Sequence, residues 1–195
     1  MKKINKGEYG YINNQKIITI IRTVILFALA LGLYFAGIIN TGSNKNLLTV
    51  VAILGLLPAS KSCVNMIMFL RFKSLDKEFY SEIVSVANSL CSDDFLALYE
   101  NVLTTTEKSY YLPVIYYKNH TIISFCDNKS NDALAIIENH IKESIKLERI
   151  DVTVKVFKDK DQFIERLKGL IQVEKDEGDD SRLNTIYNTL KAISL

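Results

Sequence analysis

Acidic residues are nearly missing from the first part of this chain. Positions 1–73 hold nine Lys and Arg but a single acid, Glu8, a net of +8; positions 74–195 hold 15 Lys and Arg against 21 acids, a net of −6. The whole-chain value of +2 therefore hides a basic part and an acidic part. An acidic domain is a poor bulk binder of nucleic acid, because phosphate contacts need Lys and Arg, so no nucleic-acid partner is expected. Histidine and cysteine are scarce as well: His120 and His140, then Cys63, Cys91 and Cys126. There is no CxxC pair, and neither histidine has ligand spacing to a cysteine, which argues against a zinc site. No metal and no cofactor is expected. Cys91 and Cys126 read as buried thiols in a reducing compartment rather than as a disulfide. The chain lacks a P-loop and the GxGxxG, GxSxG and HExxH patterns. It also lacks internal repeats and low-complexity segments.

What the chain does have is long apolar sequence. Thr23–Ile39 is one run, and with Ile17–Ile21 it makes about 20 residues, enough to span a hydrocarbon core of about 30 Å. A second run begins at Leu47 after the polar loop NTGSNKN. It is interrupted by Pro58, Lys61, Ser62 and Asn65 and resumes to Leu70. These features predict a two-helix transmembrane hairpin over 17–70, with helices at about 18–39 and 47–70. A cleaved signal peptide fits less well: the polar leader is long, no A-x-A site follows, and a second apolar segment comes at once. Lys61 and Asn65 are polar groups at membrane depth. Lys61 falls about 21 Å from Leu47 along a helix, near enough to the far face to snorkel. The other reading, a functional charge in a Pro-kinked helix, lacks an acidic partner in either run. Ala28, Gly32 and Ala36, and Gly55, Ala59 and Cys63, recur every four residues and predict close helix packing. Lys and Arg flank the outer ends of the hairpin, and the loop holds only Lys45, so both termini are expected on the cytoplasmic side of a cell membrane. Residues 1–16 are then a basic cytoplasmic N-terminus.

Residues 74–173 read as a soluble α/β domain. Leu75, Phe79, Ile83, Val86 and Leu90 mark an amphipathic helix, with Ser74 as its N-cap. Residues 95–104 suit either helix or strand, and the threonines that follow tip the reading to strand. LPVIYY and TIISFC flank Lys118-Asn119-His120, a hairpin with a tight turn in which Asn adopts positive φ. Pro113 cannot donate to a ladder, so it is expected at an edge or strand start. Asn131-Asp132 is expected to cap a helix with Ala133, Ile136, Ile137, His140, Ile141 and Ile145 on its apolar side. DVTVKVFK is a half-exposed strand, and 160–172 a further amphipathic helix. Residues 174–195 are an acidic linker and a C-terminal amphipathic helix that folds back on the domain.

The expected architecture is the hairpin followed by an α+β domain, order α-β-β-β-α-β-α-α, with one mixed sheet of about four strands flanked by helices. The element order helix–strand–strand–strand–helix–strand resembles the core of the PD-(D/E)xK nuclease superfamily. Asp127-Asn128-Lys129, at the end of the third strand, corresponds to the acid-x-Lys half of that motif. The resemblance implies a metal-activated hydrolase site using Asp127 and Lys129. The preceding strand, LPVIYYKN, departs from the pattern because it has no acid, so Glu100 or Glu107 would have to supply the missing ligand. Tyr110, Tyr111, Tyr116 and Tyr117 read as strand packing rather than as a ligand platform. The expected function is a membrane-anchored binding or regulatory module, with the bilayer and another membrane or cytoplasmic protein as partners. A membrane-tethered hydrolase or degenerate nuclease is the alternative.

Overall fold

The structure, a computed structural model, describes residues 4–89, 95–105, 108–127, 130–173 and 179–195. Its elements are α1 (Tyr11–Thr41), α2 (Leu47–Leu70), α3 (Lys77–Ser89), β1 (Leu96–Thr104), β2 (Ser109–Lys118), β3 (Thr121–Phe125), α4 (Asn131–Lys146), β4 (Thr153–Phe157), α5 (Lys160–Gln172) and α6 (Asp179–Ala192). Two compact units result: residues 12–73, and residues 1–11 together with 74–195.

In the helical unit, α1 and α2 are each long and apolar enough to cross a membrane. Only 17% of the most apolar stretch of each is buried, so most of that apolar surface is not consumed by the chain itself. Helix α1 starts at Tyr11, directly after Gly10 at φ +85° and earlier than hydropathy predicts. Hydropathy marks only the apolar part of a helix, and Tyr11–Lys16 continues the same backbone in polar residues. The seam between the helices is lined by Thr19, Thr23 and Ala30 on α1 and by Ala52, Ala59 and Ser62 on α2. The loop is held by Asn46, which accepts from the Thr49 amide (2.8 Å) and donates to Thr41 Oγ1 (3.0 Å) and the Ser43 carbonyl (2.7 Å). Gly37 permits this close return: a Cβ there would lie 2.7 Å from Asn46 Oδ1 and 3.0 Å from Leu48 Cβ.

The second unit is a four-stranded mixed sheet in the order β1-β2-β3-β4. Pairs β1–β2 and β2–β3 are antiparallel, and β3–β4 is parallel. Helices α4 and α6 cover one face, where Ile137, Ile141, Ile145, Ile186 and Leu190 meet Leu98, Ile115, Tyr117 and Ile122. Helices α3 and α5 cover the other, where Phe79, Ile83, Phe163 and Leu167 meet Val114, Tyr116, Ile123 and Phe125. Each fully buried large aliphatic or aromatic side chain contributes roughly 1.5–3 kcal/mol. The β2–β3 turn has Asn119 at φ 45° and His120 at φ 58°, the two positive values that a tight I′ hairpin requires.

Two starts differ from the sequence expectation. The Ser74 hydroxyl does not cap α3 but donates to Glu100, and the first helical bond runs from the Tyr80 amide to the Asp76 carbonyl. Helix α4 is capped by Ser130, whose Oγ accepts from the Ala133 amide. Pro113 also sits differently, inside β2 rather than at a strand start. Opposite it, β1 has Glu100 at φ 53°. Pairing runs continuously on both sides of this Glu100–Pro113 position and skips it, without a change of register. The pleat turns over there. On one side Leu98, Ile115 and Tyr117 point to α4 and α6; on the other side Leu103, Tyr110 and Leu112 do. A proline that cannot donate and a residue in left-handed conformation thus take the irregularity together, and the strict period of 2 fails across them.

Both edges of the sheet are covered. Along β1, the Tyr99 amide donates to the Gly7 carbonyl (2.8 Å), the Thr104 amide to the Ile193 carbonyl (3.1 Å), and the Leu195 amide to the Val102 carbonyl (2.8 Å). Along β4, Glu138 Oε1 accepts from the Val156 amide (2.9 Å) and pairs with Lys155 (3.3 Å). Side chains and termini in these places block edge-to-edge pairing.

Candidate functional site

Topology singles out one switch point. Strands β3 and β4 are adjacent and parallel, yet the helix after β3 packs on one face and the helix after β4 on the other. In open α/β sheets, such a reversal leaves a cleft outside the carboxyl ends of the two strands. Asp127 lies there, exposed, directly after β3. The Cys126 amide extends the ladder one step by donating to the Phe157 carbonyl (2.8 Å). Lys158 Nζ donates to Asn131 Oδ1 (3.2 Å) and ties the two helix-starting loops together. Both helix starts already have acceptors, Ser130 for α4 and Asp159 for α5, the latter accepting from the Asp161 (2.8 Å) and Gln162 (3.3 Å) amides.

Lys129 and Glu107 lie outside the described residues. Among the described residues, no three His, Cys, Asp or Glu side chains converge as a metal set. Glu100, the other substitute ligand, is committed elsewhere. It is 1% exposed, and its Oε1 accepts from the Ser74 hydroxyl and from the Leu75 amide (2.8 Å). The two halves expected of a metal-activated site are therefore not brought together among the described residues.

Around Glu100 stands a group of tyrosines. Tyr9 stacks on Tyr80 (centroids 4.0 Å), Tyr80 meets Tyr99 edge-on (5.1 Å), and the Tyr99 and Tyr116 hydroxyls are hydrogen-bonded (3.0 Å). Burial pushes the Tyr116 phenol well above its ordinary range, with the neighbouring Tyr99 adding to the effect. Burial also raises Tyr111, helped by the negative charge of Glu100 and by Tyr9. Tyr99 is raised by burial, against the opposing hydrogen bond from Tyr116. Burial thus favours the neutral form of all three phenols, and those of Tyr99 and Tyr116 hydrogen-bond to each other. Tyr110 and Tyr117 face the opposite core, so the four strand tyrosines form no common platform.

Two lysines, Lys118 buried and Lys6 half-buried, are likewise engaged by the chain. Lys118, 2% exposed, donates to the Ile171 carbonyl at the end of α5 (2.8 Å). Lys6 donates to the carbonyls of Lys191 (2.6 Å) and Ser194 at the end of α6; burial, then the Lys191 charge, lowers its pKa. Cations suit these helix ends, where free carbonyls carry partial negative charge. His120 accepts from Arg182 through Nε2, so Nδ1 carries the proton and donates to the Asp151 carbonyl (2.9 Å). His140 is half-buried and borders a 630 Å³ surface cavity with Glu143, Ser144, Lys146 and Leu147. Among the described residues its Nε2 has no hydrogen-bond partner.

In the hairpin, Lys61 is exposed and Asn65 half-buried. Gly55 and Ala59 lie towards α1: Ala59 is fully buried, and a Cβ on Gly55 would come 3.8 Å from Ala30 Cβ. Ala28, Gly32 and Ala36 lie on the outer face of α1, exposed. The buried face of α1 instead runs through Thr23, Ala30 and Gly37. Periodicity alone could not choose between two faces of a helix that is apolar all round. Thr23 and Ser62 share a buried hydrogen bond (2.9 Å) across the seam. Cys63 is half-buried, Cys126 is buried with its thiol donating to the Tyr111 carbonyl (3.4 Å), and Cys91 lies outside the described residues.

The residue that sequence reasoning undervalued is Glu100. One signal for it existed: a lone acid in the otherwise mostly apolar run LALYENVLT. No protein-family model, no curated protein and no solved structure matches this chain.

Proposed function

We propose that this chain is a membrane-anchored module. In this reading α1 and α2 cross a cell membrane, both termini lie on the cytoplasmic side, and the α/β domain binds a protein partner or regulates a membrane complex without catalysing a reaction. The observation that carries the proposal is how the buried and half-buried ionisable groups are used. Glu100, Lys118 and Lys6 are each taken up by backbone or hydroxyl groups of the chain itself. Acid–base chemistry needs a group poised towards a substrate, and these face inward. Two exposed apolar helices with Lys and Arg at their outer ends support the anchor and its orientation.

The topological switch point beside Asp127 favours one second reading, a membrane-tethered hydrolase built on Asp127 and Lys129. The two readings separate in one experiment. Full-length protein in detergent is incubated with Mg²⁺ or Mn²⁺ and with DNA, RNA or a simple phosphodiester. Turnover no greater than that of Asp127→Ala is expected. Turnover that Asp127→Ala abolishes would replace the binding module with the hydrolase.

A further inference from the structure

The polypeptide enters the hairpin through residues 4–10 and leaves it through residues 74–76, and both segments end at two successive residues of β1. The Tyr99 amide donates to the Gly7 carbonyl (2.8 Å). The adjacent Glu100 carboxylate accepts from the Ser74 hydroxyl and the Leu75 amide (2.8 Å). The two segments are also joined directly, because Tyr9 of the incoming segment stacks on Tyr80 of α3 (4.0 Å) and Tyr80 packs on Tyr99 (5.1 Å). The circuit closes through three elements: incoming segment, β1, and the start of α3.

Its geometry is costly to build. Glu100 is a non-glycine residue at φ 53° within a strand, a strained conformation that persists only when the surroundings over-determine it. Its carboxylate is buried, which is tolerated when hydrogen-bonded donors replace water. Gly7 sits at φ +90°, and a Cβ there would come 2.6 Å from Leu98 Cδ2, so the incoming segment docks in one specific backbone conformation. The register of β1 with β2 passes over the Glu100–Pro113 position. The Glu100 side chain holds the segment that leaves the hairpin, beside the residue that holds the segment entering it.

We infer that Tyr99–Glu100 is a two-sided latch. Docking of residues 4–10 and docking of residues 74–80 are one cooperative event, so release of either end of the hairpin root releases the other and reaches β1. This is a conformational coupling device, and it stands whether the domain binds a partner or hydrolyses a substrate.

Amide hydrogen exchange of the full chain in detergent or nanodiscs tests it. Gly7→Pro cannot adopt positive φ and undocks the incoming segment without touching Glu100. The latch requires that this variant accelerate exchange at Leu75 and Tyr80 at least tenfold, as well as at Tyr99. Glu100→Gln is the reciprocal variant, expected to accelerate exchange at Glu8 and Tyr11 by a similar factor. Amides of β3, such as Ile123, should keep wild-type protection in both. If Gly7→Pro speeds only Tyr99 and its own segment, the two dockings are independent and the latch is wrong. If Glu100→Gln unfolds the domain, as loss of protection in β3 would show, the Gly7→Pro result decides alone.

Discussion

At the scale of residues, buried polar side chains are the informative ones. Tyr116 is 0% exposed, and its hydroxyl meets that of Tyr99 at 3.0 Å. Because burial raises the folded-state pKa of Tyr116, the folded protein keeps this proton where the unfolded chain would lose it. The associated stability is complete below the ordinary value of 10.0 and declines as pH climbs above it, by about 1.4 kcal/mol per pH unit. Lys6 acts in the opposite sense. Its folded-state pKa is lowered, so the cost of burying its charge eases as pH rises towards 10.5, and the alkaline loss above that belongs to tyrosine. Urea titrations between pH 9 and 11.5 should show this loss, with a shallower slope for Tyr116→Phe. At neutral pH the same variant should cost about 1 kcal/mol, the net worth of one hydrogen bond; an unchanged alkaline slope would show that Tyr116 is not the group responsible.

At the scale of elements, α6 shows what amphipathic periodicity does and does not say. The pattern of Leu183, Ile186, Tyr187, Leu190 and Ile193 marks an apolar face but not what covers it. In the structure Ile186 (0% exposed) and Leu190 (1%) enter the core beneath α4, and residues 193–195 pair with β1. Helix α6 is thus part of the fold rather than a detached arm. Ile186→Ala or Leu190→Ala should destabilise the protein by about 2–5 kcal/mol, measured by chemical denaturation. A change below about 0.5 kcal/mol, the range of surface substitutions, would mean that α6 is not docked in solution. The hairpin seam gives the converse lesson. Gly55 and Ala59 lie on it, while Ala28, Gly32 and Ala36 lie opposite, because the contact polarity that chose the face, Thr23 with Ser62, is invisible to a count of small residues.

At the scale of the whole molecule, the proposed topology makes a plain prediction. The full chain should stay in the membrane pellet after alkaline carbonate extraction, and a reporter fused after Leu195 should be active in the cytoplasm. Activity of that reporter only outside the cytoplasm would reverse the orientation. Element order was legible in the sequence because it depends on local periodicity: apolar runs of helical length, β-rich runs around Lys118-Asn119-His120, and amphipathic helices after Ser130 and Asp159. The charge division at about position 73 was legible for the same reason, since it is a property of composition. Tertiary structure alone decided the rest. It set the pleat reversal at Glu100 and Pro113, which needs two strands to face each other, and the switch point at Asp127, which depends on helices leaving for opposite faces. It also placed the two ends of the hairpin root on Tyr99 and Glu100. Those contacts join residues about 25 and 90 positions apart, and no local pattern encodes a partner so distant along the chain.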